Sequence, residues 1–136
     1  MKTKTKEKDH AEEQAKAQLE NIIEMVDALE KATGPDNRGD AEDLREKIQE
    51  DPLSVRVRSS WVDAGGKMEA EEFEILLCTG GPAVRIMGDL DEYKQPSRAW
   101  IQYQDWGTPW TDYNMSMISD VNGKLLTYCQ QFYFGE

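Results

Sequence analysis

Two carboxylates, Asp105 and Asp112, flank a rigid Gly-Thr-Pro-Trp segment within QDWGTPWTDY, residues 104–113. A pair of carboxylates can act as general acid and base or bind a divalent cation. An aspartate beside Gly, Thr and Pro more often caps its own loop through backbone hydrogen bonds. We therefore expect both aspartates to pin this loop. The alternative is a small ligand-binding domain or small enzyme whose site surrounds Asp105 and Asp112.

The remaining reactive groups are two cysteines, a glycine pair and one histidine. Cys78 and Cys129 each sit in an apolar run, which favours buried free thiols over a disulfide. The glycine pair at 80–81 precedes a strand and has no Lys-Ser/Thr after it, so it predicts a hairpin turn rather than a phosphate-binding loop. His10 is the only histidine and belongs to the start of the chain, so we expect no histidine to be available to activate Cys78. The sequence therefore predicts no enzyme, no cofactor and no metal site.

The loop at 104–113 also carries three large aromatic side chains, Trp106, Trp110 and Tyr113. Trp and Tyr bury a large area at a small cost in side-chain entropy, so they suit contact surfaces as well as cores. The loop is therefore either a lid over the protein's own core or a surface for a partner. In the second case these three residues would be the anchors of the interface.

The charge of the chain limits its partners. The 136 residues carry a formal net charge of −11, which repels nucleic acid and anionic lipid. Between Asp9 and Glu30, seven acidic residues stand against the single Lys16. This pattern is typical of either a solvated helix face or a nucleic-acid mimic that binds a basic protein surface. The candidate partner-binding acids are Glu13, Glu20, Glu24 and Asp27.

Apolar spacing predicts two N-terminal helices. Spacings of three and four form one amphipathic stripe, made of Ala15, Leu19, Ile22, Val26 and Leu29. The stripe predicts a long helix from about Asp9 to Thr33, which Gly34 and Pro35 would end. A shorter helix is predicted at 40–49. The stripe also fits a coiled-coil seam, so a homodimer through the long helix is the alternative to docking on the chain's own sheet.

After Pro52 the period changes to two, which is typical of strands. Four such segments joined by short turns predict an antiparallel meander, at 53–58, 71–79, 83–90 and 97–106. The segment DAGGK, 63–67, predicts the hairpin turn between the first two strands. Residues 114–119 fit either a fifth strand or an irregular connection. The helical spacing of Leu125, Tyr128 and Phe132 favours a short C-terminal helix over a strand.

These elements predict an α+β protein with N-terminal helices, one long and one short, packed on a four- to five-stranded antiparallel meander sheet. Residues 1–52 would form a helical arm and 53–136 the sheet domain, and a chain of this length is expected to make one compact unit. The opening MKTKTKEKDH has no apolar run after it. The sequence therefore predicts neither a signal peptide nor a transmembrane helix, and hence a cytoplasmic protein.

Three segments of the C-terminal half resemble a group of small proteins encoded by bacteriophages, plasmids and other mobile elements: ILLCTGGPAVRI, AWIQYQDWGTPWTDY and YCQQFYFGE. The resemblance covers roughly residues 72–136 and transfers no catalytic residue. It implies a non-enzymatic inhibitor of a host defence or nucleic-acid-handling protein, of the anti-CRISPR or anti-restriction type, in the cytoplasm of a bacterial host. The expected partner is a basic surface of a host nucleic-acid-binding protein or effector complex, without direct binding to nucleic acid or membrane.

Overall fold

The computed structural model describes residues 2–33, 38–114 and 121–135. These residues form three helices and five strands. In chain order they are α1 (Lys2–Ala32), α2 (Arg38–Glu50), β1 (Ser54–Arg58), β2 (Glu72–Cys78), β3 (Ala83–Leu90), β4 (Pro96–Gln104), β5 (Thr111–Asp112) and α3 (Val121–Cys129). Helices precede and follow the strands rather than alternate with them, so the predicted α+β class is confirmed.

The five strands form one antiparallel sheet in the order β1-β2-β3-β4-β5. Successive side chains of a strand point to opposite faces, and the register aligns Ile75 with Ile86 and Ile86 with Ile101 on the inner face. These three side chains are fully buried. Helices α1 and α3 pack on this inner face, and α2 packs on α1. The opposite side, called here the outer sheet face, is left to solvent in the described part of the chain.

The apolar stripe of α1 supplies the centre of the core. Leu19, Ile22 and Val26 have no exposed surface and lie in one cluster with buried residues of α2, α3 and the sheet. Burying each of these side chains stabilises the fold by about 1.5–3 kcal/mol. The chain's own helices and sheet therefore cover the stripe. A homodimeric coiled coil through the stripe could form only if α1 separated from this core. The core cluster joins described residues of the three helices to residues of the sheet.

Gly88 allows close packing between β3 and its two neighbouring strands. Gly88 of β3 lies under the ring of Phe73, and a Cβ atom there would stand 2.2 Å from Phe73 Cζ and 2.3 Å from the carbonyl oxygen of Arg98. The Phe73 ring in turn contacts Phe134, with 4.8 Å between ring centroids. The C-terminal segment is therefore anchored on the inner face through this aromatic pair.

The structure differs from the sequence-based expectations at three places. The long helix begins at Lys2 rather than near residue 9, because lysines are good helix formers. Strands β1 and β2 are joined by the long loop 59–71, in which DAGGK makes only a local turn around Gly65, with φ of 86°. The fifth strand lies at 111–112, and the residues 115–120 lie outside the described part of the chain.

Candidate functional site

The candidate carboxylates of α1 fall into two groups. Glu13, Glu20 and Glu24 are exposed on the side opposite the buried stripe. No cation of the described residues forms an ion pair with them. Asp27 is different, because Lys124 of α3 lies 2.7 Å from its carboxylate and also binds Glu30. We call Glu13, Glu20 and Glu24 the acidic face.

Lys124 links α3 to α1 electrostatically. Hydrogen bonds to Asp27 and Glu30 raise the pKa of its ammonium group above the usual value. An ion pair between partly exposed groups contributes at most about 1 kcal/mol to stability. Its main consequence for the site is that Lys124 neutralises Asp27 and Glu30, whereas no described cation pairs with the acidic face.

The aromatic loop is pinned by its first aspartate. Asp105 Oδ1 accepts a hydrogen bond from the backbone N–H of Trp106 at 2.8 Å. The backbone N–H of Asp105 donates to Thr108 Oγ1 at 3.0 Å, and Thr108 N–H donates back to the carbonyl oxygen of Asp105 at 3.1 Å. Gly107 takes a positive φ of 73° at the apex, where a residue with a Cβ atom would be strained. This is the capping arrangement expected from the residues around Asp105.

The three aromatic residues of the loop point in different directions. Trp110 lies over the guanidinium of Arg85 on the outer sheet face, 4.1 Å from Arg85 Cζ to the ring centroid. Trp106 is mostly exposed and its ring covers Gly81, where a Cβ atom would come within 2.1 Å of Trp106 Cδ1. Tyr113 is half-buried against the core. The structure therefore does not place Trp106, Trp110 and Tyr113 on one surface.

Of the three aromatic residues of the loop, Tyr113 is the one whose phenol is within electrostatic range of carboxylates of α1. Its burial, and then the charges of Glu12 and Glu20, raise the pKa of its phenol above the usual value. The neighbouring Tyr103 hydroxyl donates to Glu12 at 3.3 Å. Among the predicted site residues of the loop and of α1, Tyr113 and Glu20 are close enough for the charge of the glutamate to act on the phenol.

A charged network occupies the centre of the outer sheet face. Arg85 Nη1 donates to Glu74 Oε2 at 2.7 Å, and Arg85 Nε donates to Gln102 Oε1 at 2.9 Å. Arg56 Nε donates to Glu74 Oε1 at 2.8 Å. Burial disfavours the charged form of Glu74, which is only 9% exposed, but the two arginines outweigh it and lower the pKa of its carboxyl group. Glu74 therefore stays ionised beneath Trp110 and Arg85.

An exposed apolar surface beside this face was missed from the sequence. Trp61 is fully exposed, and Val62 and Met68 of the same loop are also exposed. Trp61 and Met68 line a shallow groove that reaches Arg58 and Glu72 of the sheet. The sequence analysis predicted a tight hairpin turn at 63–67, and it therefore missed the longer loop 59–71. The available signal was the long gap without apolar alternation between residues 58 and 71.

The two candidate carboxylates and Cys78 lie in different surroundings. Asp112 accepts a hydrogen bond from Gln102 Nε2 at 2.9 Å and lines a shallow groove with Arg98 and Trp100, a groove that Asp105 does not line. Burial raises the pKa of the Cys78 thiol, which disfavours the reactive thiolate. Across 2–33, 38–114 and 121–135, no three His, Cys, Asp or Glu residues are grouped so that they could hold a metal ion.

No protein-family model matches the chain, and neither a curated protein nor a solved structure matches it. None of the described helices combines the length and the apolar character needed to cross a membrane. The fold defines a class, a small α+β protein with a helical layer on one side of a meander sheet. Its two surfaces of interest are the acidic face on the helical side and the outer sheet face with the Trp61 loop.

Proposed function

We propose that the protein is a non-enzymatic binding module of a mobile element, which docks its acidic face on the basic surface of a host nucleic-acid-handling protein. One observation carries the proposal. Glu13, Glu20 and Glu24 have no ion-pair partner among the described residues, although the same helix has Asp27 and Glu30 neutralised by Lys124. Within the described part of the chain, this group of helix carboxylates is thus available to a cationic partner.

The supporting helix suits such a role because it is rigidly held. The buried stripe fixes α1 on the sheet, so the acidic face is presented in one orientation. At a rise of about 1.5 Å per residue, the carboxylates from residue 13 to residue 24 extend over about 16 Å. Fixed charges of one sign raise the association rate with an oppositely charged surface and disfavour wrong partners. Tyr113, whose phenol is within electrostatic range of Glu20, supplies an aromatic surface at the edge of this face.

The proposed biological effect is inhibition by competition. A basic groove that binds nucleic acid attracts an acidic protein by the same charges, so occupation of the groove excludes DNA or RNA. CRISPR effectors and restriction enzymes are host proteins with such grooves. The resemblance of residues 72–136 to proteins of mobile elements supports this choice of target class.

The experiment compares two triple charge reversals. In the first variant Glu13, Glu20 and Glu24 become Lys. In the matched control the exposed acids of α2, Glu42, Asp43 and Glu46, become Lys, so the net charge changes equally. Asp27 is left intact because its replacement would disturb the contact between α1 and α3.

Both variants are tested for binding to purified CRISPR effectors and restriction enzymes, with labelled DNA as the competitor. We expect the α1 variant to lose affinity by at least about tenfold, which is 1.4 kcal/mol, and the α2 variant to keep most of it. Equal losses in both variants would mean that only net charge matters. Unchanged binding of the α1 variant would show that the acidic face is not the interface.

A further inference from the structure

Strand β1 is an edge of the sheet. It stands at one end of the order β1-β2-β3-β4-β5, so among the described residues β2 is the strand that pairs with it. The carbonyl oxygen of Arg58 accepts a hydrogen bond from the N–H of Glu71 at 2.9 Å, so the backbone groups of Arg58 point toward β2. This direction alternates along a strand. The N–H and C=O groups of Val55 and Val57 therefore point to the open edge, where a further strand can bind them.

The inner side of this edge is apolar and only partly covered. Helices α1 and α3 pack over β3 and β4, which lie on the far side of β2 from β1. Val55 still packs against the core cluster, but Val57, two residues further along the same face, is 46% exposed. Its register partner on β2, Phe73, is buried. An apolar side chain placed beside Val57 on the open edge therefore extends the buried surface.

The outer sheet face is electrically neutral in a chain whose net charge is −11. The strand register places four arginines and four carboxylates on it: Arg56, Arg58, Arg85, Arg98, Glu72, Glu74, Asp89 and Asp112. The excess negative charge therefore lies elsewhere, on the helices and loops. An acidic segment of a partner is repelled by most of this molecule, and it meets the least repulsion at this face.

Two arginines of β1 line the outer side of the open edge. Arg58 pairs with Glu72. Arg56 pairs with Glu74 but shares this carboxylate with Arg85. The side chains of Arg56 and Arg58 remain 70% and 66% accessible, and their Nη1 atoms donate to no described acceptor. A guanidinium group has five N–H donors, so both arginines can bind a further carboxylate.

The ladder between β1 and β2 shows which pattern of residues matches β1. Three register pairs set this pattern: Arg58 with Glu72, Val57 with Phe73 and Arg56 with Glu74. Acidic residues thus stand opposite the arginines on the outer side, and an apolar residue stands opposite the valine on the inner side. A strand on the open edge meets the same two sides of β1. The matching sequence is therefore an alternation of acidic and apolar residues.

We propose that the open edge of β1 binds an extended segment of a partner protein in which acidic and apolar residues alternate, so that the segment becomes a sixth strand of the sheet. Its backbone hydrogen-bonds to Val55 and Val57. Its acidic side chains lie beside Arg56 and Arg58 on the outer side, and its apolar side chains cover Val57 on the inner side. The proposal uses no carboxylate of the acidic face, and it does not depend on the proposed function.

A second copy of the chain fits this edge less well. Strand β1, SVRVR, contains two arginines and no carboxylate. A copy of β1 on the open edge would bring these arginines to the side where Arg56 and Arg58 already lie, and like charges on neighbouring strands are destabilising. Strand β2 has the matching pattern, but β1 and β3 pair with both of its edges. The occupant is therefore expected to come from another protein.

The first experiment measures peptide binding to the full chain by fluorescence anisotropy. The probe is the labelled peptide Val-Glu-Val-Glu-Val-Glu-Val. The control peptide, Val-Val-Glu-Glu-Glu-Val-Val, has the same composition without the alternation. We expect the probe to bind at least about tenfold more tightly, because only the alternating peptide puts all its carboxylates on one side of a strand. Equal affinities of the two peptides would overturn the proposal.

The variant Val57→Pro removes a donor from the open edge. Proline has no N–H, and the N–H of Val57 points away from β2, so the ladder between β1 and β2 keeps its hydrogen bonds. We expect the probe to bind at least about tenfold more weakly to this variant. Val57→Thr keeps the N–H and should bind like the wild type, and circular dichroism verifies both folds. Undiminished binding to Val57→Pro would contradict the proposed edge.

Arg58→Gln tests the charge complementarity. We expect about a two- to fivefold loss of affinity for the probe, as removal of an exposed ion pair causes. Arg98→Gln is the matched control, because Arg98 is a similarly exposed arginine of the same face that lies on β4, away from the open edge. Equal losses in the two variants would show that only net charge matters, and the arginines of β1 would not be the binding groups.

N-methylation of the probe tests the same hydrogen bonds without changing the protein. One edge of a bound strand faces β1, and its other edge faces solvent. Methylation of the valine amides or of the glutamate amides blocks one edge or the other, so we expect one of these peptides to lose binding and the other to keep it. Equal binding of both would overturn the proposal. So would a wild-type chain that sediments as a dimer and becomes monomeric in Val57→Pro, because a second copy would then occupy the edge.

Discussion

Glu74 lies on the solvent-facing side of the sheet, yet its contacts make it important for the stability of the fold. Its side chain points to the outer sheet face, where an exposed carboxylate would contribute little. Two arginines converge on it instead, and it is almost completely covered. Removing its charge leaves Arg85, whose side chain is 19% exposed, with an unmatched positive charge. Glu72, by contrast, pairs with the exposed Arg58 nearer the edge of the same face.

We predict that Glu74→Gln lowers the free energy of unfolding by about 1–2 kcal/mol at neutral pH, measured by urea denaturation. Glu72→Gln is the matched control, with a change of about 0.5 kcal/mol or less. Equal effects of the two changes would contradict the special role of Glu74.

The same residue predicts a pH dependence. The pKa of Glu74 is lowered on folding from its ordinary value of 4.5. Its ionised form therefore stabilises the folded state above pH 4.5, and this contribution is lost as the pH falls from 4.5 through the lowered pKa. The difference in stability between the wild type and Glu74→Gln should narrow over that range. A difference that stays constant in acid would show that the Arg56 and Arg85 contacts do not hold the charge.

Among the secondary-structure elements, β3 can pack between β2 and β4 because Gly88 has no side chain. Gly88 allows the Phe73 ring and the backbone of Arg98 to approach closely. The backbone oxygen cannot move aside without disturbing the ladder between β3 and β4. A methyl group at this position therefore has to displace both the ring and the strand.

We predict that Gly88→Ala destabilises the protein by about 3 kcal/mol or more. Gly123 in α3 is the matched control, because nothing lies within 4 Å of a Cβ atom there. Gly123→Ala is expected to be neutral or to stabilise by up to about 1 kcal/mol, since alanine is the better helix former. Thermal unfolding of both variants checks the pair. A Gly88→Ala protein as stable as the wild type would contradict the close packing of Phe73 on β3.

At the scale of the whole molecule, the charge distribution is uneven. The outer sheet face is neutral, and the acidic face carries carboxylates without described ion-pair partners. Self-repulsion among like charges destabilises a compact state and is screened by salt. The stability of the chain should therefore respond to ionic strength, and the response should depend mainly on the helical side.

We predict that the wild-type melting temperature rises when salt increases from ~10 mM to ~150 mM, over which the screening length falls from ~30 Å to ~8 Å. The Glu13, Glu20 and Glu24 to Lys variant should show a smaller rise, because its repulsion is already reduced. The variant with Glu42, Asp43 and Glu46 of α2 changed to Lys has the same net charge, so it shows whether the salt response depends on the acidic face or on net charge alone. A wild-type melting temperature that falls with salt would mean that the ion pairs of the sheet outweigh the repulsion.

Much of the fold was predictable from local patterns. The stripe from Ala15 to Leu29 and the alternation in β3 and β4 depend on neighbours a few residues apart, which the sequence shows directly. The placement of Trp110 and Tyr113 on opposite faces of the sheet could also have been predicted from the sequence. They are three residues apart, an odd spacing, so an extended segment directs them to opposite faces of a sheet.

Four features could be predicted without the tertiary structure: the helical stripe, the order and period of the strands, the loop-capping role of Asp105 and the excess of acid on α1. Each of these follows from residue type and short-range spacing. Which acids of α1 have a described ion-pair partner depends on the packing of α3 on α1, because Lys124 reaches Glu30 across 94 positions of the chain. The tertiary structure also decided that Glu74 is buried between arginines and that Trp61 is exposed. Contacts between distant segments depend on how whole elements pack, and no local periodicity encodes that packing.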